Sequence, residues 1–119
     1  MLDVEQRLPD VTPSDFFALD LRVGRVSAVE EFPEARKPAW KLTVDFGTPI
    51  GLLRTSAQIT NYTPEDLLHR LVIGAVNLGT KRVAGFVSEF LVLGAVSPVD
   101  GTVHLLDVAP EAQPGWRVA

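Results

Sequence analysis

Alternation of apolar and polar residues, the pattern of a β-strand with one buried face, recurs along the first half of the chain. In residues 40–46 every even-numbered position, from Trp40 to Phe46, is apolar, and every position between them is polar. Residues 50–57 follow the turn Gly47-Thr48-Pro49 and also have the composition of a strand. These two stretches predict the second and third strands, joined as a hairpin.

The earliest alternating stretch predicts a long, bent first strand. Leu21 and Val23 hold odd-numbered positions, but beyond Gly24 the apolar residues move to even numbers, beginning with Val26. One extra residue beside a glycine is typical of a β-bulge, so we expect a bulge at Gly24-Arg25.

Residues 63–70 carry the signals of a short helix. Thr63 suits the N-cap and Pro64 suits the first helical position. Two acidic residues follow in the first turn, and Arg70 suits the last turn. The pattern predicts a helix of about two turns.

The remaining elements are predicted from shorter patterns. Residues 13–17 indicate a helical turn that brings two aromatic residues to the body of the protein. Residues 71–78 are almost wholly apolar, which predicts a central strand buried on both faces. Residues 86–96 contain a further strand, and residues 102–108 form the last one.

The order of these elements predicts an all-β fold. A bent first strand, a hairpin of strands two and three, and a helix before strand four describe a five-stranded OB-fold Greek-key barrel. The short helix lies between strands three and four, and extensions precede and follow the barrel. The alternative, a β-sandwich, needs about seven strands and has no place for the helix.

Composition narrows the protein class. The 119 residues fit one domain, and the absence of cysteine excludes disulfides, thiolate metal sites and cysteine nucleophiles. The first ten residues have no basic region followed by an apolar one, and no apolar run is long enough to cross a bilayer. We therefore expect a cytoplasmic protein without membrane insertion.

No motif for catalysis is present. The sequence contains neither a phosphate-binding loop nor a dinucleotide-binding glycine pattern. His69 and His104 lie far apart, and neither shows metal-ligand spacing with another residue. We expect no enzyme activity, no catalytic residue, no metal and no cofactor.

Charge is distributed unevenly along the chain. The net charge of -4 argues against general binding of nucleic acid, but the basic residues are concentrated in the middle and both ends are acidic. In an OB-fold the binding groove crosses strands two and three and is flanked by the loops after strands one and four. The two loops and the strand between them then supply cations to both rims of the groove. These cations are Arg36, Lys37, Arg54, Lys81 and Arg82.

Uncharged residues near the predicted groove are further candidates. The amides of Gln58 and Asn77 can pair with bases or with peptide backbone, or simply satisfy strand ends. Phe86 is an aromatic candidate for contact with a ligand. Glu89 is either an exposed strand residue or a buried acid bonded to a neighbouring serine or to a ligand donor.

The sequence resembles the CsaA-type secretion chaperones, which are members of the tRNA-binding-domain family of OB-folds. The matching stretches are LDLRVG at 19–24, EEFPEAR at 30–36, DFG at 45–47, SAQI at 56–59, AGF at 84–86, SE at 88–89 and LVLG at 91–94. The resemblance implies a tRNA-binding-type domain over residues 19–119 and an N-terminal extension over residues 1–18, for which we expect a dimer contact.

The resemblance also implies function and site residues. It implies a cytoplasmic homodimer that binds unfolded or precursor polypeptides and takes part in protein export, with export machinery as a further partner. The family's binding region falls on Ser56, Gln58, Asn77, Lys81, Arg82, Gly85, Ser88 and Glu89. The alternative function is that of the wider family, binding of structured tRNA. Many tRNA-binding relatives are more basic than this chain between the positions of Asn77 and Ser88. This departure from the pattern of those relatives favours the chaperone branch.

Overall fold

The computed structural model describes residues 6–119, which form a predominantly β structure. The helices are α1 (Pro13–Phe17) and α2 (Pro64–Leu67). The strands are β1 (Leu21–Glu31), β2 (Trp40–Asp45), β3 (Leu52–Ala57), β4 (Leu71–Ala75), β5 (Lys81–Val83), β6 (Phe86–Ser88), β7 (Leu91–Val92), β8 (Gly94–Val96) and β9 (Val103–Leu105). The first five residues of the predicted N-terminal extension lie outside the described residues.

Five strands form one antiparallel sheet in the order β3-β2-β1-β4-β7. The predicted hairpin of the second and third strands is confirmed, with Trp40 opposite Ala57 and Asp45 opposite Leu52. Two further hairpins stand beside this sheet, one of β5 with β6 and one of β8 with β9. The sheet curls into a nearly closed five-stranded barrel, which confirms the predicted all-β OB-fold.

The barrel closes between β3 and the chain that follows β6. The backbone N–H of Arg54 donates to Glu89 Oε1 (3.0 Å), and the N–H of Glu89 donates to the carbonyl of Arg54 (2.7 Å). The buried hydroxyl of Thr55 donates to the carbonyl of Phe90 (2.8 Å). Glu89 is thus a half-buried acid bonded to the backbone of β3, which is neither of the two environments that the sequence left open.

Glycines in two neighbouring strands make room for the aromatic centre of the core. Phe46 is fully buried and packs edge to face on Phe90, with ring centroids 5.0 Å apart. A Cβ at Gly24 would lie 2.8 Å from Phe46 Cδ1, and a Cβ at Gly74 would lie 2.7 Å from Phe46 Cζ. Larger residues at these positions would displace the ring.

The bulge in β1 is confirmed, but its predicted position at Gly24-Arg25 is wrong. The register with β2 shifts between Val26 and Ala28, which places the extra residue at Ser27. The sequence misled because both faces of the first half of β1 are buried. Leu21 packs in a second cluster with C-terminal residues, separate from the main core that holds Val26.

The helix before β4 begins where predicted and ends earlier. Thr63 caps its N-terminus and accepts a hydrogen bond from the Asp66 N–H (3.1 Å). The helix ends at Leu67, so the prediction of two turns reaching Arg70 is wrong. The chain leaves the helix because the N–H of His69 donates to the carbonyl of Val26 (2.9 Å), which joins residues 69–70 to β1.

Segments before β1 and after β9 flank the barrel. The C-terminal segment pairs with β1, where the N–H groups of Gly115 and Val118 donate to the carbonyls of Val23 and Leu21 (2.8 Å each). The predicted helical turn at residues 13–17 is confirmed as α1, but the expectation that it brings Phe16 and Phe17 to the body of the protein is wrong, because both side chains are exposed. Neither helix found within residues 6–119 has the length and apolar character needed to cross a membrane.

Candidate functional site

A groove of about 960 Å³ opens where the predicted binding elements meet. One wall is the loop between β1 and β2, which we call the β1–β2 loop (residues 32–39). The opposite wall consists of β5 and the loop that precedes it, residues 78–84. The C-terminal end of β3 and residues 88–91 lie between the two walls. A groove of this volume is at the upper end of the range typical of ligand sites, roughly 300–1,000 Å³.

The structure brings together most of the predicted site residues. Those that line the groove are Arg36, Lys37, Ser56, Gln58, Lys81, Arg82 and Ser88. Ser56 and Ser88 are half-buried neighbours whose hydroxyl oxygens lie 3.3 Å apart, and the Ser56 N–H donates to Ser88 Oγ (3.0 Å). Gln58 is exposed, so its amide is accessible to a ligand.

The four cations of the groove, which we call the wall cations, are Arg36, Lys37, Lys81 and Arg82. All four are exposed, and none makes an ion pair with a residue between 6 and 119. Arg82 donates only to the nearby carbonyl of Gly85 (3.3 Å). By contrast, Arg22, Arg54 and Arg70 each pair with a carboxylate. The wall cations therefore present positive charge to whatever enters the groove.

The groove lining also contains apolar residues. It includes Ala35, Ala39, Val83, Phe90 and Leu91. Phe90 is the one aromatic residue among the described lining residues, and its ring is buried against Phe46. The exposed apolar contacts in the groove are therefore aliphatic.

Two aromatic residues join the walls from outside the groove. Phe32 of the β1–β2 loop packs on Phe86 of β6, with ring centroids 5.5 Å apart, and the two side chains are 5% and 8% exposed. Lys41 Nζ lies 4.8 Å from the centre of the Phe32 ring and 5.2 Å from that of Phe86. The ring of Phe86, a predicted site residue, is thus buried against Phe32 and does not line the groove.

Arg54 and Glu89, also predicted site residues, lie outside the groove lining. Arg54 Nη2 lies 2.9 Å from Glu30 Oε2, and its guanidinium lies 4.7 Å from the centre of the Phe86 ring. Glu89 receives the backbone N–H of Arg54. Both side chains are engaged in contacts within the protein.

Asn77 and Gly85 have local structural roles in this arrangement. The side chain of Asn77 accepts from the Asp20 N–H and donates to the Ala18 carbonyl, both at 2.8 Å, and so fastens the N-terminal extension to the end of β4. Gly85 and Ala84 form the turn of the β5–β6 hairpin with φ of 83° and 46°. Positive φ at both positions is typical of type I′ hairpin turns.

Sequence reasoning missed some groove residues. They include Glu34, Leu78, Gly79 and Thr80. Leu78 and Leu91 are exposed in the structure. The position of Leu78 beside Gly79 is the sequence signal that could have identified it. Glu34 carries the single carboxylate found in the described lining.

A smaller recess of about 320 Å³ adjoins the groove at Lys37 and Gln58, which line both cavities. Its far side is the turn at Asp100 and Thr102. The pKa of the Asp100 carboxyl lies below its ordinary value, chiefly because the Thr102 N–H donates a hydrogen bond to it (2.9 Å). This carboxylate is thus ionised at neutral pH.

The groove contains no arrangement typical of catalysis. Neither His69 nor His104 lines it, so the paired serines have no imidazole base beside them. Across residues 6–119 no three His, Cys, Asp or Glu side chains lie together as metal ligands would. The groove presents charged and aliphatic side chains to its interior.

Comparison with curated proteins places the chain in a family. The model described as "Putative tRNA binding domain" matches residues 21–117. Methionine–tRNA ligase 1 of Sorangium cellulosum is 42% identical over 114 residues, which cover 96% of this chain and 16% of that enzyme. The methionine–tRNA ligase of Thermotoga maritima is 32% identical over 109 residues, which cover 92% of this chain and 17% of that enzyme. The chain therefore spans about one sixth of the length of these curated relatives.

Solved structures of small proteins match over their whole length. The CsaA chaperone protein of Picrophilus torridus is 43% identical with a TM-score of 0.86, covering 92% of this chain and 100% of that one. Chaperone CsaA of Bacillus anthracis is 47% identical with a TM-score of 0.86, covering 93% and 100%. Because the family model matches residues 21–117, which include the whole barrel, this chain belongs to the tRNA-binding domain family.

Proposed function

We propose that this protein is a non-enzymatic chaperone of the cytoplasm that binds unfolded or precursor polypeptides for export. The observation that carries the proposal is the lining of the groove, which combines exposed aliphatic side chains with cations on both walls. Unfolded polypeptides expose aliphatic side chains, which such a lining would remove from water. The names of the CsaA chaperone proteins with the same fold support this function.

Single-stranded nucleic acid requires a different surface. Proteins that bind it stack bases on exposed aromatic side chains, at about 1–3 kcal/mol per base. The candidate rings for stacking, Phe32 and Phe86, are buried against each other, and Trp40 is half-buried with its Nε1 donating to the Tyr62 carbonyl (3.0 Å). The groove offers aliphatic contact where a base would need a ring.

Binding of a labelled, unfolded export precursor tests the proposal. Leu91 is exposed in the groove, so Leu91→Ser removes apolar lining without opening the core. Leu52 is exposed on β3 outside the groove, and Leu52→Ser is the matched control. We expect Leu91→Ser to weaken precursor binding several-fold and Leu52→Ser to leave it unchanged. Failure of the wild-type protein to bind any unfolded precursor would refute the function.

Binding of structured tRNA is the second candidate function. The observation that favours it is the presence of unpaired cations on both walls, together with membership of the tRNA-binding domain family. Phosphate contacts make affinity fall steeply with salt, and loss of one cation lowers the salt slope by about 1. A tRNA transcript titrated against wild type and Lys81→Ala at several salt concentrations tests this. Salt-insensitive or undetectable binding would exclude it.

We also propose that the protein acts as a homodimer through its extensions. Phe16, Phe17 and Trp116 are 41%, 51% and 56% exposed, and Leu8 and Val11 are exposed nearby in sequence. Exposed apolar patches on soluble proteins mark protein–protein interfaces. Sedimentation of the wild type is expected to give a dimer, and Phe17→Asp is expected to give a monomer. A monomeric wild type would contradict the proposal.

A further inference from the structure

Strand β5 presents a free edge to the groove. It pairs with β6 on one side, and no other strand among residues 6–119 pairs with it. All three residues of β5 line the groove, whereas Ser88 is the one residue of β6 that does. The free edge of β5 thus belongs to a strand whose every residue lines the groove.

The register of the β5–β6 hairpin identifies the free backbone groups on that edge. Val83 lies opposite Phe86 across a two-residue turn, Arg82 lies opposite Val87, and Lys81 lies opposite Ser88. In such a hairpin, the pair next to the turn exchanges hydrogen bonds and the following pair does not, because the two kinds alternate. The N–H and C=O of Arg82 therefore point away from β6, along the free edge of β5.

The free strand edge and the unpaired cations together indicate which kind of ligand fits the groove. An extended peptide that adds to a sheet edge gains main-chain hydrogen bonds, and its alternate side chains point to opposite sides. Alternate residues can therefore contact the aliphatic lining, while the residues between them lie near the wall cations. The lining carries four cations and, through Glu34, one carboxylate, so its charge favours acidic side chains.

We propose that the groove binds an acidic, extended polypeptide segment as an added strand along β5. The main chain of the segment pairs with Arg82, apolar residues contact the aliphatic lining, and flanking Asp or Glu residues contact the wall cations. The proposal rests on the polypeptide-binding function proposed above and adds to it both the charge of the ligand and its mode of binding.

Three peptides of equal length test the charge preference. Each carries one central unit, Asp-Leu-Asp, Asn-Leu-Asn or Lys-Leu-Lys, between identical Gly-Ser flanks. Exposed ion pairs contribute modestly, so at low salt we expect the acidic peptide to bind about tenfold more tightly than the neutral one. This advantage is expected to shrink as salt is added, and the basic peptide is expected to bind most weakly. Equal binding of the acidic and neutral peptides would overturn the charge preference.

Two substitutions at one position separate main-chain pairing from charge. Arg82→Ala removes the cation and keeps the backbone N–H, whereas Arg82→Pro removes both. Proline is tolerated where a strand N–H has no partner in the sheet, so Arg82→Pro preserves the hairpin. We expect Arg82→Ala to weaken the acidic peptide several-fold and the neutral peptide by a smaller factor. Arg82→Pro is expected to weaken both peptides at least about tenfold, since main-chain bonds give most of the affinity in this mode.

If Arg82→Pro loses its hairpin, the added strand can still be detected directly in the wild-type protein. At saturating acidic peptide, nuclear Overhauser contacts are expected between peptide backbone protons and the Arg82 backbone of the wild-type protein. Their absence at saturation would overturn strand addition. Equal affinity of Arg82→Pro and Arg82→Ala for the neutral peptide, with the hairpin intact, would also overturn it.

The outcomes distinguish this proposal from the function on which it rests. Binding of an unfolded precursor without preference among the three peptides overturns the acidic preference and leaves the chaperone function standing. Failure of all three peptides and of the precursor overturns both. Tighter binding of an oligouridylate than of the acidic peptide at the same salt assigns the groove to nucleic acid and overturns the proposal.

Discussion

Phe32 and Phe86 connect the two walls of the groove, with ring centroids 5.5 Å apart and ring planes inclined at 58°. Phe32 opens the β1–β2 loop, and Phe86 follows the turn of the β5–β6 hairpin. Neither ring lines the groove, and both are buried. The width of the groove therefore depends on a contact that a ligand does not touch.

A double-mutant cycle measures this contact. Phe32→Leu and Phe86→Leu are each expected to lower the free energy of unfolding by about 1 kcal/mol, as conservative apolar exchanges do. Because an aromatic pair contributes about 0.5–1.5 kcal/mol beyond its buried area, the double variant is expected to lose less than the two single losses combined. Denaturant titrations of the four proteins give the coupling, and full additivity would show that the walls are not joined there.

Asn77 is expected to fasten the N-terminal extension. Asn77→Ala removes the hydrogen bonds to Asp20 and Ala18, which is expected to destabilise the protein by about 1–2 kcal/mol and to speed hydrogen exchange at the Asp20 amide. Asn61 makes a single side-chain bond, from Nδ2 to the Val103 carbonyl (3.1 Å), so Asn61→Ala is the control with the smaller expected loss. Unchanged exchange at Asp20 in Asn77→Ala would contradict this role.

Substitutions at the two turn positions of the β5–β6 hairpin are expected to change stability in opposite directions. Ala84 has φ of 46°, a conformation that costs an ordinary L-residue roughly 1–2 kcal/mol and that asparagine tolerates better. Ala84→Asn creates the Asn-Gly pair favoured in type I′ turns and is expected to stabilise by about 0.5 kcal/mol. Gly85→Ala, at φ 83°, is expected to destabilise by about 1 kcal/mol. Thermal unfolding distinguishes the signs, and destabilisation by both changes would refute the assigned turn.

The core around Gly74 is expected not to accommodate a larger side chain. A Cβ there would lie 2.7 Å from Phe46 Cζ and 2.9 Å from Phe90 Cδ2. Gly74→Ala is therefore expected to cost about 1–3 kcal/mol, as overpacking does. Phe90→Leu in the same chain is expected to recover part of this loss by removing one of the clashing atoms. An unchanged denaturation midpoint for Gly74→Ala would show that the core is less tightly packed than described.

Strong local signals allowed the barrel to be predicted from the sequence. The strict alternation from Trp40 to Phe46 and the cap at Thr63 are decided by nearby residues, and both were confirmed. The position of the bulge and the end of α2 depend on partners distant in sequence. Leu21 is apolar because a C-terminal segment covers it, and α2 ends because His69 bonds to Val26. Neither partner is visible in a local pattern.

The cations of the groove were predictable from the sequence, but the orientation of polar side chains at strand ends was not. The positions of the wall cations follow from OB-fold topology, and Lys37 and Arg82 do line the groove. Asn77 and Glu89 are polar residues at strand ends, and sequence does not show whether such a group faces a ligand or the backbone of its own chain. Their side chains bond to the backbone of residues more than thirty positions away.

Nuclear magnetic resonance mapping of a bound polypeptide tests the central claim most directly. An unfolded export precursor segment is titrated into the isotopically labelled protein, and the backbone amide shifts are followed. We expect the largest changes in the two walls, residues 34–39 and 78–84, with small changes elsewhere in the barrel. Changes confined to the N-terminal extension or to the far side of the barrel would contradict binding in the groove.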